Sequence, residues 1–136
     1  MNGLKPPPSS VLDRYHGDEV RPLYTGRVRV QGGQAGHGRA SGVVRSDDGA
    51  LAVDLRLPPE LGGPGGGTNP EQLLAAGYAG CFHGAMVLVA ARAGLVLDQP
   101  SVEVGVTFAR DPVDGLYLLS AEIVVCLPGM DATLAA

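Results

Sequence analysis

The chain has 136 residues, a formal net charge of −4 and only one lysine, with 45% hydrophobic and 18% charged residues. This length and composition predict one folded domain and exclude a chain that is disordered by composition. A nucleic-acid binder needs a basic face to neutralise phosphates, and the sequence shows none. Two cysteines are too few for a secreted disulfide scaffold, and no signal peptide opens the chain, so we expect a cytoplasmic protein.

The first part of the chain predicts an N-terminal arm followed by a meander of strands. Residues 1–20 combine a proline triplet with a mixed polar run, which is typical of a loose arm. Residues 23–31 alternate apolar and polar side chains and predict a half-buried strand. A second strand is expected over 38–45, and Asp48-Gly49 predicts a hairpin turn into a third strand over 51–57.

A glycine- and proline-rich loop over 58–67 precedes the strongest helix signal in the chain. Asn69 is a good N-cap residue, Pro70 suits the first helical position, and Gln72 has the spacing of a capping box. The helix is expected to run to Ala93 and to end at Gly94.

This helix is unusually apolar, since residues 73–91 carry no formal charge over 19 positions. That length is enough to span a membrane. The polar side chains of Tyr78, Cys81 and His83, together with three glycines, favour a buried core helix instead, and we expect no membrane association. One sheet can cover only one side of such a helix, so a second subunit is expected on the other.

Two further strands are predicted over 101–109 and 116–127, and a helix is expected to begin within 130–136. The resulting order β-β-β-α-β-β is connected by hairpins rather than by crossovers. It predicts an α+β domain with an antiparallel sheet around a long central helix.

Cys81 is the residue with the clearest chemical potential, although a buried structural cysteine is a common alternative. A reactive cysteine needs a stabilised thiolate, and the helix N-terminus is too far away to provide it. Four residues could supply a cation: Arg39, Arg45, His37 and His83. A metal site built from Cys81, Cys126 and these histidines is disfavoured, because the spacings match no known zinc pattern.

Several segments carry a resemblance to a known family: Pro59-Glu60-Leu61-Gly62-Gly63, Gly67-Thr68-Asn69-Pro70-Glu71-Gln72-Leu73, Ala75-Ala76-Gly77-Tyr78 and Cys81-Phe82. Together they resemble the organic hydroperoxide resistance (Ohr) proteins of the Ohr/OsmC superfamily, and the resemblance extends over roughly residues 23–130. It implies an OsmC-like, intertwined homodimer with two sites at the dimer interface. It also implies a thiol peroxidase that reduces organic and lipid hydroperoxides to alcohols.

The resemblance assigns three site residues. Cys81 matches the family's peroxidatic cysteine, which passes through a sulfenate, and Glu60 matches a carboxylate that orients the site arginine. Arg39 matches that arginine best, with Arg45 as the fallback, because the distance from Arg39 to Asp48 is one residue longer than the usual pattern. No bound cofactor is implied, and the expected reductant is an external dithiol such as dihydrolipoamide on a lipoylated protein.

The second cysteine departs from the family pattern. The family's resolving cysteine precedes a proline in a C-terminal helix, whereas Cys126 lies before Pro128 on a predicted strand. Compared with the family pattern, we expect the domain predicted over 21–136 to lack the family's last helix and strand. This departure leaves an alternative open, in which the chain is a non-catalytic or otherwise diverged OsmC-like binding module.

Overall fold

The computed structural model of the chain describes residues 13–33 and 41–135. Five strands and two helices occupy these residues: β1 Val28–Gln31, β2 Gly42–Ser46, β3 Ala52–Leu55, α1 Pro70–Arg92, β4 Ser101–Arg110, β5 Tyr117–Cys126 and α2 Ala132–Ala135. The predicted element order and the α+β class are confirmed. Most of the predicted arm, residues 1–12, lies outside the described residues.

The strands form two antiparallel sheets rather than the single sheet that was predicted. One sheet has the order β1-β2-β3, and the other is the hairpin β4-β5. Strand β1 is also shorter than the predicted 23–31. It begins at Val28 because this residue pairs with Ser46, the last residue of β2, so the preceding residues have no partner strand.

The predicted hairpin turn after β2 is confirmed, and side chains stabilise it. The carboxylate of Asp48 accepts hydrogen bonds from the Ser46 hydroxyl at 2.6 Å and from the Ala50 N–H at 3.0 Å. These two bonds lower the pKa of Asp48. Gly49 follows with φ +76°, a backbone conformation that glycine adopts without steric cost.

The glycine- and proline-rich loop returns to the strand that it leaves. The Thr68 N–H donates to the Asp54 carbonyl at 2.9 Å, and the Arg56 N–H donates to the Thr68 carbonyl at 2.9 Å. Thr68 thereby forms a parallel bridge with Leu55. The loop is thus closed at its base immediately before α1 begins.

Two glycines of this loop allow that close return. A Cβ atom at Gly63 would lie 2.1 Å from the Leu57 carbonyl oxygen. A Cβ atom at Gly67 would lie 2.7 Å from the Asp54 carbonyl oxygen. Both distances are far below van der Waals contact with backbone atoms, so these two glycines allow the loop to pack tightly against β3 and the residues that follow it.

Helix α1 begins as predicted, with one difference at its cap. The Asn69 side chain accepts a hydrogen bond from the Gln72 N–H at 2.9 Å, and Pro70 occupies the first turn. The Gln72 side chain does not complete a capping box, because its Oε1 accepts a hydrogen bond from the Thr68 hydroxyl at 2.8 Å. The cap therefore links the base of the loop to the helix. At the other end, the helix stops at Arg92, and Gly94 has φ +76°.

The hydrophobic core of a single chain is small. Among the described residues, the buried hydrophobic side chains are Val44, Leu55 and Ala90, which are 2%, 6% and 9% exposed. Helix α1 packs against β4, but Ala90 is its one buried residue. One chain alone therefore leaves the helix largely exposed, and its predicted burial, which includes a second subunit, stays a prediction. By length and composition, with a mean hydropathy of 1.7, α1 could also span a membrane.

Replacing Asn69 by alanine is expected to lower the free energy of unfolding by about 1 kcal/mol, because the Gln72 N–H loses its acceptor. Urea unfolding followed by circular dichroism measures the change. Asn69→Asp keeps an acceptor at the same position and serves as the matched control. Equal destabilisation by both substitutions would show that the cap does not act through this hydrogen bond.

Candidate active site

Cys81 lies near the middle of α1, about three turns from the helix N-terminus. Its thiol is free and exposed. Together with Tyr78 and Phe82 it lines a cavity of 240 Å³. The helix thus presents an accessible thiol between two aromatic side chains rather than a buried structural cysteine. Tyr78 was part of the motif that carried the resemblance, and its position three residues before Cys81 on the predicted helix is a signal that could have placed its ring beside the thiol.

A larger apolar cavity of 530 Å³ begins beside the thiol, at Phe82, and extends along α1 through Met86 and Val89. Its opposite wall comes from the end of β5 and the segment that follows it, including Val125, Leu127 and Leu134. Amphipathic spacing along the helix explains the arrangement, because residues three or four positions apart share a face. An apolar surface therefore continues directly from the aromatic side chain next to Cys81.

Glu60 lies on a short 3₁₀ helix, Pro59–Leu61, within the glycine-rich loop. Backbone hydrogen bonds from Leu61 to Pro58 at 3.0 Å and from Gly62 to Pro59 at 2.9 Å hold this turn. The Glu60 side chain is exposed, and no hydrogen bond or ion pair joins it to another described residue. Its carboxylate is available to a cation, but the described contacts do not connect it to Cys81.

The structure describes one of the two candidate arginines, Arg45. Arg39 lies outside the described residues. Arg45 lies on β2, directly across from Arg29 of β1, and both line a groove of 740 Å³ on the three-stranded sheet. That groove does not include Cys81 or Glu60. The identity of the site arginine therefore stays a prediction, and the fallback to Arg45 gains no support from the fold.

The remaining candidates lie elsewhere. The His83 ring is engaged with the backbone, since its Nε2 lies 3.3 Å from the Pro100 carbonyl oxygen. Cys126, at the end of β5 and opposite Ser101, is a free and exposed thiol. His37 is not among the described residues. Within the part of the chain that the structure describes, no three His, Cys, Asp or Glu side chains are grouped to hold a metal ion.

Sequence reasoning missed the grouping of arginines in the groove on the three-stranded sheet. Arg27 lines it together with Arg29 and Arg45. The spacing of Arg27 and Arg29 places them on one face of a strand, which the sequence did indicate. Their position opposite Arg45 depends on the register between β1 and β2, and no local signal encodes that register.

Comparisons with known proteins identify the family of the chain. A profile of the family described as OsmC-like protein matches residues 63–136. The organic hydroperoxide resistance protein of Xanthomonas axonopodis pv. citri is 44% identical over 111 residues, covering 80% of this chain and 72% of that protein. OhrB of Bacillus subtilis, also named an organic hydroperoxide resistance protein, is 38% identical over 109 residues, covering 80% and 75%.

A solved structure gives the same result for the fold. The crystal structure of an organic hydroperoxide resistance protein from Legionella pneumophila superposes with a TM-score of 0.73 at 38% identity, covering 85% of this chain and 79% of that one. The sequence match and the structural match thus agree over most of both chains. The chain belongs to the organic hydroperoxide resistance branch of the OsmC-like family.

Proposed function

We propose that the chain is a thiol peroxidase that reduces organic hydroperoxides to alcohols in defence against oxidative stress. The observation that carries the proposal is the exposed Cys81 thiol between Tyr78 and Phe82 on a helix of this family. Relatives named organic hydroperoxide resistance proteins support the substrate class.

In the proposed reaction, the Cys81 thiolate attacks the terminal oxygen of the hydroperoxide. The new S–O bond forms as the O–O bond breaks, and the electron pair leaves with the alkoxide. The alkoxide takes a proton and departs as the alcohol, which leaves Cys81 as a sulfenic acid. An external dithiol then reduces the sulfenic acid to the thiol, and the products are a disulfide and water.

The proposed reaction needs a thiolate, and a thiolate in the middle of a helix needs a nearby cation. We assign this role to Arg39, whose guanidinium would stabilise the thiolate and orient the peroxide. Glu60 would hold the guanidinium through two parallel hydrogen bonds. The loop geometry supports this role for Glu60, because its turn is held by backbone hydrogen bonds and its carboxylate has no described partner.

The apolar cavity beside Phe82 supports a preference for organic over hydrogen peroxide. An alkyl group that leaves water for this surface gains about 0.8 kcal/mol per buried CH₂, which hydrogen peroxide cannot gain. The same reasoning extends the proposed substrates to lipid hydroperoxides with long chains.

The proposed active form is an intertwined homodimer. Leu74 and Tyr78 of α1 are 50% and 48% exposed in one chain, and the described core contains very few buried side chains. A second copy that covers α1 would bury this apolar surface. We further propose a cytoplasmic location, no bound cofactor, and a dithiol reductant such as dihydrolipoamide carried by a protein.

One equivalent of tert-butyl hydroperoxide or of a lipid hydroperoxide is expected to convert Cys81 to the sulfenic acid, much faster than hydrogen peroxide does. Mass spectrometry of the trapped thiol measures the reaction, and dihydrolipoamide should restore the thiol. Cys126→Ser should react as the unmodified chain does, whereas Cys81→Ser should not react. Equal, slow oxidation by all peroxides would instead indicate a non-catalytic binding module.

Glu60→Gln is expected to slow the oxidation of Cys81 by at least about tenfold, because a neutral amide holds a guanidinium less firmly than a carboxylate does. Stopped-flow measurement of the thiol gives the rate constant. Glu103→Gln removes the same charge from an exposed position on β4 and should leave the rate unchanged. An unchanged rate in Glu60→Gln would remove Glu60 from the proposed site.

Leu74→Glu is expected to disrupt the homodimer, since it places a charge on the apolar surface that the second copy would cover. In an isolated chain the same substitution would affect a side chain that is already half exposed, and its cost would be small. Sedimentation velocity distinguishes the two cases. Val113→Glu, at a position 91% exposed in the β4–β5 turn, is the control. Sedimentation of the unmodified chain as a 13.9 kDa monomer would contradict the homodimer.

A further inference from the structure

The groove on the three-stranded sheet contains a basic cluster, defined here as Arg27, Arg29 and Arg45. Arg29 lies directly across from Arg45 in the antiparallel register, so the two Cβ atoms are roughly 5 Å apart. Arg27 lies on the same face as Arg29, two residues earlier and roughly 7 Å along the strand. The opposite face of the sheet carries Val44, which is buried, so the basic cluster lies on the outer face.

Within the described residues, the acidic side chains that line the groove do not balance the three positive charges of the basic cluster. All three arginines are exposed, and within the described ranges 13–33 and 41–135 none of them forms an ion pair or a hydrogen bond through its side chain. Asp47 is the one acidic residue that lines the groove. Like charges directly opposite each other destabilise an antiparallel pair, so the sheet carries a cost that an anionic partner would relieve. The chain as a whole is acidic, with a net charge of −4.

We propose that the basic cluster docks a carboxylate-rich surface of the protein that carries the reducing dithiol. This inference rests on the proposed function, in which a dithiol must approach the chain after every turnover. The two strands that carry Arg29 and Arg45 are also the two that flank the segment containing Arg39. A reductant docked on these strands would be docked next to the two ends of the segment that carries the proposed site arginine.

The shape of the groove favours a protein over other anions. A concavity of 740 Å³ accepts a projecting segment of a protein, whereas a lipid surface is flat on this scale. The exposed arginines line a groove of 740 Å³, which is far larger than one phosphate and does not enclose it. They match a row of separate carboxylates, each of which pairs with a guanidinium fork. Such contacts give fast, salt-sensitive association, which suits a carrier that must leave after each reaction.

Arg29→Glu separates docking from stability. It replaces a like-charge cross-strand pair by an opposite-charge pair with Arg45, so the midpoint of urea unfolding should stay the same or rise. At the same time it reduces the charge of the basic cluster by two units. Arg21→Glu makes the same change in net charge at an exposed position outside the groove and is the matched control.

Fluorescence anisotropy with a fluorescein-labelled octaglutamate peptide tests the docking surface without any reference to activity. We expect binding at about 20 mM NaCl that weakens at about 200 mM NaCl. Arg29→Glu should weaken it by at least about tenfold, and Arg21→Glu by less than about twofold. Absence of binding, equal loss in both variants, displacement of the peptide by about 1 mM inorganic phosphate, or binding of phosphatidylglycerol vesicles in place of the peptide would each overturn the proposal.

Turnover with two forms of the same dithiol completes the test. With dihydrolipoamide on an acidic carrier domain, Arg29→Glu should raise KM about tenfold and leave kcat unchanged. With free dihydrolipoamide the variant should match the unmodified chain. A KM that is unaffected with the carrier would contradict docking. If the unmodified chain fails to reduce peroxide even with free dihydrolipoamide, the proposed function fails, and the peptide experiment still decides whether the groove binds acidic protein surfaces.

Discussion

The structure depends on one constraint, which is that a long apolar helix is only partly covered by its own chain. Helix α1 contacts β4, yet Ala90 is its one buried residue. An uncovered helix of this composition is unstable in water, because the burial of apolar surface is the main favourable term in folding. The homodimer proposed above would complete the cover. In that homodimer the helix would lie between layers, and the Cys81 thiolate would then depend more strongly on a nearby cation, because apolar surroundings disfavour the charged form.

The loop between β3 and α1 holds Glu60 at a defined place relative to the helix. Its base is fixed by the bridge between Leu55 and Thr68, and Thr68 also bonds to the Gln72 side chain in the first turn of the helix. The turn that carries Glu60 is therefore tied to the start of the helix that carries Cys81. Because a fixed turn loses little further freedom when a partner binds, it can orient a guanidinium at a low entropic cost.

The sequence predicted the features that local chemistry encodes and missed those that depend on distant partners. Asn69 and Pro70 specify the helix start, and Asp48-Gly49 specifies the hairpin, because capping and positive φ act within a few residues. The length of β1 depends on where β2 ends, and the division into two sheets depends on pairing across the chain. The proposed site was accessible only through family resemblance, since no spacing relates Glu60 or Arg39 to Cys81.

The alternation of side chains between the two faces of the three-stranded sheet determines where its charges lie. The inner face of the three-stranded sheet carries Val44 and Leu55, so alternation leaves Arg29 and Arg45 on the outer face. An acidic chain could have placed a carboxylate at one of these two positions, where it would pair with the arginine directly opposite. Arg29 and Arg45 instead form a like-charge pair, and neither has an ion-pair partner among the described residues. We account for this pair by the partner that it would attract, which in the proposed cycle is the dithiol carrier.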